Sequence, residues 1–236
     1  MPHAVFLDMD DTLLDSSGGA EESWKLACST FAPHLGIEPE QLRLAIRKAA
    51  QEFWRDEAVS GHWRVKLKES RVMFVENALR EEKLNVDLAK PLATLYDEQV
   101  TARYRLFDDA IETLEWLRST GKRLGLLTNG PQDMQREKIA RFELEQYFDF
   151  IVIEGEFGRG KPERAVFEHA LSRTALMAAD AWHVGDNLYA DIGGAQSVGI
   201  HAVWIHRDRL EMKNDGHAVP DRVIGHLAEL RDALSE

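Results

Sequence analysis

Apolar residues in this chain recur in two rhythms. Between 20 and 105 they return at helical spacing: Trp24, Cys28 and Phe31, then Leu42, Ile46, Ala49 and Phe53. Val72, Val75 and Leu79 predict a third helix over 63–82. Leu92, Tyr96 and Val100 predict a fourth, opening near Pro91, a residue suited to a first helical turn. No convincing strand falls in this stretch. On either side of it the rhythm changes to short apolar runs, at 4–7, 123–128, 150–153, 181–184, 201–205 and 221–224. Runs of this length bounded by polar residues suit strands buried on both faces. Helical patterns alternate with them: one carrying Ile111, Leu114 and Leu117 that stops at Gly121, one over 131–141, one from Pro162, one over 190–198, and a last amphipathic one with Leu227, Leu230 and Leu234.

Strands alternating with helices predict an α/β fold with a doubly wound parallel sheet. The run at 4–7 must join that sheet, so the helical stretch interrupts the domain. The expected division is a core of 1–15 with 106–236 and an inserted all-helical cap of 16–105, with hinges near 16–19 and 105–108. Ser16-Ser17-Gly18-Gly19 supplies turn formers at the first crossing.

Composition narrows the function classes. A formal charge of −12 over 236 residues argues against nonspecific binding to nucleic acid or an anionic membrane. One cysteine, Cys28, allows no intramolecular disulfide, and with no signal stretch or 18-residue apolar run the expectation is a cytoplasmic protein, monomeric or homodimeric.

The chemistry-bearing residues cluster after strands. The run at 4–7 ends in Asp8-Met9-Asp10-Asp11, three acids that repel one another unless a cation joins them. Thr128-Asn129-Gly130 follows the run at 123–128, Lys161 the run at 150–153, and Gly185-Asp186 the run at 181–184. In a parallel sheet these ends share one edge, where ligands bind. Asp8 could act as a nucleophile toward phosphorus. Asp10, two residues on, could protonate the leaving oxygen and then take a proton from water. The Thr128 hydroxyl and Asn129 N–H suit phosphate oxygens. Lys161 would supply positive charge to the same oxygens, and Asp186 would complete a magnesium site with Asp8. Taken singly, Asp11 reads as a turn former, Lys161 as a surface residue and Asp191 as a helix N-cap. Gly155-Glu156-Phe157-Gly158-Arg159-Gly160-Lys161 fits a nucleotide-binding loop, but Pro162 stands where that loop needs Ser or Thr.

Asp8-Met9-Asp10-Asp11-Thr12, Leu126-Leu127-Thr128-Asn129-Gly130, Lys161-Pro162 and Gly185-Asp186 through Asp191, in this order, resemble the four motifs of the haloacid dehalogenase (HAD) superfamily. The resemblance spans the chain. It implies a Rossmann-like core with an inserted helical cap and magnesium-dependent hydrolysis of a small phosphorylated metabolite, a sugar phosphate or nucleoside monophosphate, through an aspartyl phosphate. It further implies that the Asp10 backbone carbonyl joins Asp8 and Asp186 on the metal and that Asp191 supports the site from behind. Leu126-Leu127-Thr128-Asn129-Gly130, with Gln135-Arg136-Glu137-Lys138-Ile139 after it, is similar to the N-acylneuraminate-9-phosphatase and pyrimidine-nucleotidase branch. Between 41 and 83 there are ten Lys/Arg against seven Asp/Glu, which makes Arg55, His62, Trp63, Arg64, Lys66, Lys68 and Arg71 candidates for gripping an anionic substrate. The competing readings are a phosphomutase, a noncatalytic binding protein on this scaffold, and a dehalogenase. Asp10 speaks against the last, because the family's dehalogenases lack the second aspartate.

Overall fold

A computed structural model describes residues 2–55, 63–207 and 218–235. The chain divides into two compact units, Met1–Asp15 with Leu106–Glu236, and Ser16–Arg105. The first is built on a six-stranded, wholly parallel sheet of strands β1 (Ala4–Leu7), β4 (Arg123–Thr128), β5 (Phe150–Ile153), β6 (Ala181–Gly185), β7 (His201–Ile205) and β8 (Arg222–Ile224). Their order is β5-β4-β1-β6-β7-β8. From β1 the chain builds outward through β4 to β5. It then returns to the other flank of β1 and builds outward again through β6, β7 and β8. The carboxyl end of β1 is therefore the switch point at which a doubly wound sheet opens a crevice.

All four residues of β1 are buried, as a central strand covered on both faces requires. Phe6 meets Phe150 edge to face, and this contact joins a core that includes Leu127, Val152, Phe167, Ile192 and Trp204. The α/β reading and the six strand positions agree with the observed sheet. Two short strands, β2 (Leu14–Asp15) and β3 (Arg105–Leu106), pair with each other where the chain leaves the core and comes back. They are too short to leave a periodic signal.

The other unit contains helices α1 (Ala20–Leu35), α2 (Pro39–Trp54), α3 (Leu67–Glu81) and α4 (Ala89–Arg103). It has its own core, with Cys28, Leu42, Ile46, Val75, Leu79, Leu92 and Val100 inside. Trp24 stacks on Tyr96 at 3.9 Å between ring centroids and, with Phe53, packs against that core. Arg71 is committed within the unit: it pairs with Asp97 and lies over the Tyr96 ring. His62 lies outside the described residues.

Burial pushes the Cys28 thiol from an ordinary 9.0 up to about 12. The folded state therefore keeps a proton that the unfolded chain gives up. Its contribution to stability is intact below pH 9 and is lost as pH rises from about 9 to about 12. In urea unfolding over that range, wild type should lose stability faster than Cys28→Ala, by up to about 1.4 kcal/mol per pH unit.

Candidate active site

Each acid at the crevice is aimed by the backbone that carries it. The Asp8 N–H continues the β1–β6 ladder by donating to the Val184 carbonyl at 2.9 Å, so Asp8 is held beside the end of β6. Beyond it the chain turns sharply. Leu13 and Leu14 both donate to the Met9 carbonyl, and Asp11 adopts a left-handed conformation (φ 58°) that a short polar side chain tolerates.

Lys161 comes from further away. After β5 the chain makes a short helix, Glu154–Phe157, that the apolar pattern did not reveal. The loop beyond it is fastened to the loop after β4 by one side chain. Asn129 donates from Nδ2 to the Lys161 carbonyl and accepts the Lys161 N–H on Oδ1, both at 2.8 Å. A second tie is Glu154, whose buried carboxylate accepts the Gly130 N–H at 3.0 Å. A side chain at Gly160 would strike this carboxylate. The glycine run that imitates a nucleotide loop thus makes room for Glu154.

So held, Lys161 is 2% exposed, with its ammonium 2.5 Å from Asp8 Oδ1 and 2.6 Å from Asp191 Oδ1. Asp191 lies in a wide π-helical turn, Leu188–Gly193, in place of the start of the helix expected over 190–198. Asn187 caps that turn, accepting from the N–H groups of Tyr189 and Ala190. Asp191 is therefore no N-cap. Its Oδ1 also meets His183 Nε2 at 2.9 Å, and its Oδ2 accepts the Asn187 N–H. A Cβ on Gly185 would collide with this carboxyl group, so β6 ends in the one residue that lets Asp191 approach.

Asp10 points to a different set of partners. On helix α6 (Gln132–Arg141), which follows α5 (Ala110–Ser119) in the chain, Lys138 donates to Asp10 Oδ1 at 2.7 Å and Gln135 to Oδ2 at 2.8 Å. Gln135 Nε2 is also 2.6 Å from the Thr128 hydroxyl and 2.8 Å from the Asn129 carbonyl. The anticipated residues thus form one connected network: Asp10 through Gln135 to Thr128 and Asn129, then Lys161, then Asp8 and Asp191. Asp186 joins by proximity, since carboxylate oxygens of Asp8, Asp186 and Asp191 lie within 4.8 Å of one another. Its backbone carbonyl accepts the Trp204 indole N–H at 2.6 Å. Gln135, Lys138, Glu154 and His183 were not singled out as site residues. For the first two the signal is in the chain, a polar pair at i, i+3 on the helix that follows Thr128-Asn129-Gly130.

The charges do not balance. Burial, then its neighbours' charges, pushes the Asp186 carboxyl up to about 8. Burial likewise lifts Asp8 to about 7 despite Lys161 beside it. Burial opposes ionisation of Asp191 too, but Lys161 and His183 outweigh it and hold that carboxyl well below its usual range. Burial lowers the affinity of His183 for a proton. Buried Asp8 and half-buried Asp186, both under-compensated, beside a third carboxylate already satisfied by nitrogen donors make a donor set that fits a hard divalent cation.

Residues 2–199 match the family model of the haloacid dehalogenase-like hydrolases. The chain belongs to that family. Among curated relatives, a phosphoserine phosphatase of Thermus thermophilus is 37% identical over 68% of this chain, which spans 63% of that relative. A glyceraldehyde 3-phosphate phosphatase of Methanopyrus kandleri is 32% identical over 100% of this chain and 98% of its own. An N-acylneuraminate-9-phosphatase of Mus musculus is 33% identical over 86% and 82%. Of solved structures, a HAD phosphatase of Thermococcus onnurineus superposes with a TM-score of 0.72, 29% identity, and 98% and 97% coverage. The reading of the chain as a phosphoric monoester hydrolase of the HAD family agrees with these relatives. Among the described residues, no helix is long and apolar enough to cross a membrane.

Removing the buried ammonium should expose how much the site rests on it. Lys161→Met leaves Asp8 and Asp191 without the ammonium they share, and urea unfolding should show a loss of about 3–5 kcal/mol. Adding Asp191→Asn to that variant should recover part of the loss.

Proposed function

We propose that this protein is a magnesium-dependent phosphatase of small phosphorylated metabolites, acting through an aspartyl phosphate on Asp8. One observation supports this reading above others: the buried Asp8 carboxylate lies at the switch point, 2.5 Å from the Lys161 ammonium and with a carboxylate oxygen of Asp186 within 4.8 Å. Asp8 and Asp186, with the backbone carbonyl of Asp10, would hold magnesium. The bound ion would offset the like charge that otherwise opposes a carboxylate approaching a phosphate dianion.

The protein's own groups account for the remaining chemistry. An Asp8 oxygen forms a bond to phosphorus as the ester P–O bond breaks, and Asp10 gives its proton to the departing oxygen. The Thr128 hydroxyl, the Asn129 N–H and the Lys161 ammonium hold the nonbridging oxygens. Water then attacks phosphorus, Asp10 takes a proton from it, and the Asp8–phosphorus bond breaks to release phosphate and the free carboxylate. Asp191 holds Lys161 in place from behind.

The helical unit acts as a cap that selects the leaving group. It contains an open cavity of about 560 Å³ whose walls include Trp24, Arg47 and Trp54. Aromatic faces with a guanidinium suit a polar, anionic or ring-bearing metabolite. Sugar phosphates and nucleoside monophosphates fit that description, and the relatives' names, which span an amino-acid, a triose and a sugar-acid phosphate, keep the substrate small.

Two measurements test this. Phosphate release from a metabolite panel should fall at least about a hundredfold in Asp8→Asn, the scale of losing a nucleophile. Chelation should abolish activity in wild type, and added magnesium should restore it. Halide release from 2-haloacids in the presence of chelator would overturn the reading in favour of a dehalogenase.

A further inference from the structure

The function proposed above needs Asp10 to be aimed, yet it stands at a turn, with its side chain 29% exposed. We propose that Gln135 and Lys138 are positioning residues that set the aim of Asp10 and divide the work between its two oxygens. This inference rests on the acid–base reading of Asp10. Both residues are buried, at 2% and 7% exposure, and both stand on one face of α6, each taking one carboxylate oxygen. A buried lysine is costly unless its charge is used. Here the use is a charge-assisted bond to Oδ1, the stronger and more directional kind. The bond to Oδ2 differs in character. The Gln135 amide has two hydrogens and three acceptors within 2.8 Å: Asp10 Oδ2, the Thr128 hydroxyl and the Asn129 carbonyl. It can let go of Oδ2 and remain satisfied. Lys138 therefore anchors Oδ1, and Oδ2 is the oxygen that carries the proton to and from substrate. Because α6 starts directly beyond Thr128-Asn129-Gly130, the same helix ties the aim of the acid to the phosphate-binding turn.

A salt bridge present only for stability would affect all substrates alike. An aimed acid matters most where the leaving oxygen needs its proton. The test compares kcat/KM, which reports formation of the aspartyl phosphate, for an alkyl phosphate and for p-nitrophenyl phosphate. Lys138→Met should reduce the alkyl value at least about tenfold more than the aryl value, a loss within the range for general acid catalysis. Lys138→Arg should restore most of it. Gln135→Glu, equal in size but without the donor, should show the same bias and provides the test if Lys138→Met does not fold. In an Asp10→Asn background, Lys138→Met should add nothing further. Equal losses on the two substrates, or additive losses with Asp10→Asn, would overturn the proposal. A flat Asp10→Asn profile would show that Asp10 is not the acid and would bring the proposal down with that reading. A steep Asp10→Asn profile with a flat Lys138→Met profile would sink the proposal alone.

Discussion

A single buried ammonium organises this site. Lys161 sits between Asp8 and Asp191 with almost no exposure to water. Taking three charges out of solvent is unfavourable by several kcal/mol per ion unless the geometry is close and the remaining lone pairs are filled. Much of the local architecture meets that condition. Asn129 clamps the lysine backbone, His183 and the Asn187 N–H fill the far side of Asp191, and the bare Gly185 lets that carboxylate draw near. Asp8 follows β1, Asn129 follows β4, Lys161 lies beyond β5, and Asp191 with His183, Gly185 and Asn187 lies on β6 or just beyond it, so the ion cluster also fastens these strand ends together.

That cluster leaves the acids in surplus. One ammonium faces three carboxylates. The nitrogen donors serve Asp191 most, which leaves Asp8 and Asp186 as the pair with unmet demand for positive charge. The division of labour among chemically identical side chains thus comes from their neighbours: three nitrogen partners make Asp191 a strut, a glutamine and a second lysine hold Asp10, and Asp8 and Asp186 share open electrostatic need.

Much of this was legible in the sequence because the sheet is buried. Strands covered on both faces must be apolar throughout, so Ala4–Leu7 and Phe150–Ile153 stood out as unbroken runs, and the polar residues just beyond them were placed on one edge by the parallel arrangement alone. What was not legible is what periodicity does not encode. Glu154, His183 and Lys138 are polar residues that are buried through particular partners, Gly130, Asp191 and Asp10, and a lone acid or lysine in a helical pattern reads as a solvated face. The wide turn at 188–193 was read as ordinary helix, since the pattern of apolar residues does not distinguish the two windings. The paired strands at 14–15 and 105–106 hold two residues each, below the length at which alternation can be counted.

The place where the chain leaves and re-enters the sheet domain has a consequence of its own. The Phe107 N–H donates to the Leu13 carbonyl at 3.0 Å, so the outgoing and returning strands touch at the doorway. Whatever lies between 16 and 105 is a loop closed at a fixed point, and closure entropy grows only with the logarithm of its length. Residues can be gained, lost or exchanged there without altering any strand register. A lineage built on such a gate can vary the module it hangs there while the reactive groups on the sheet stay in register.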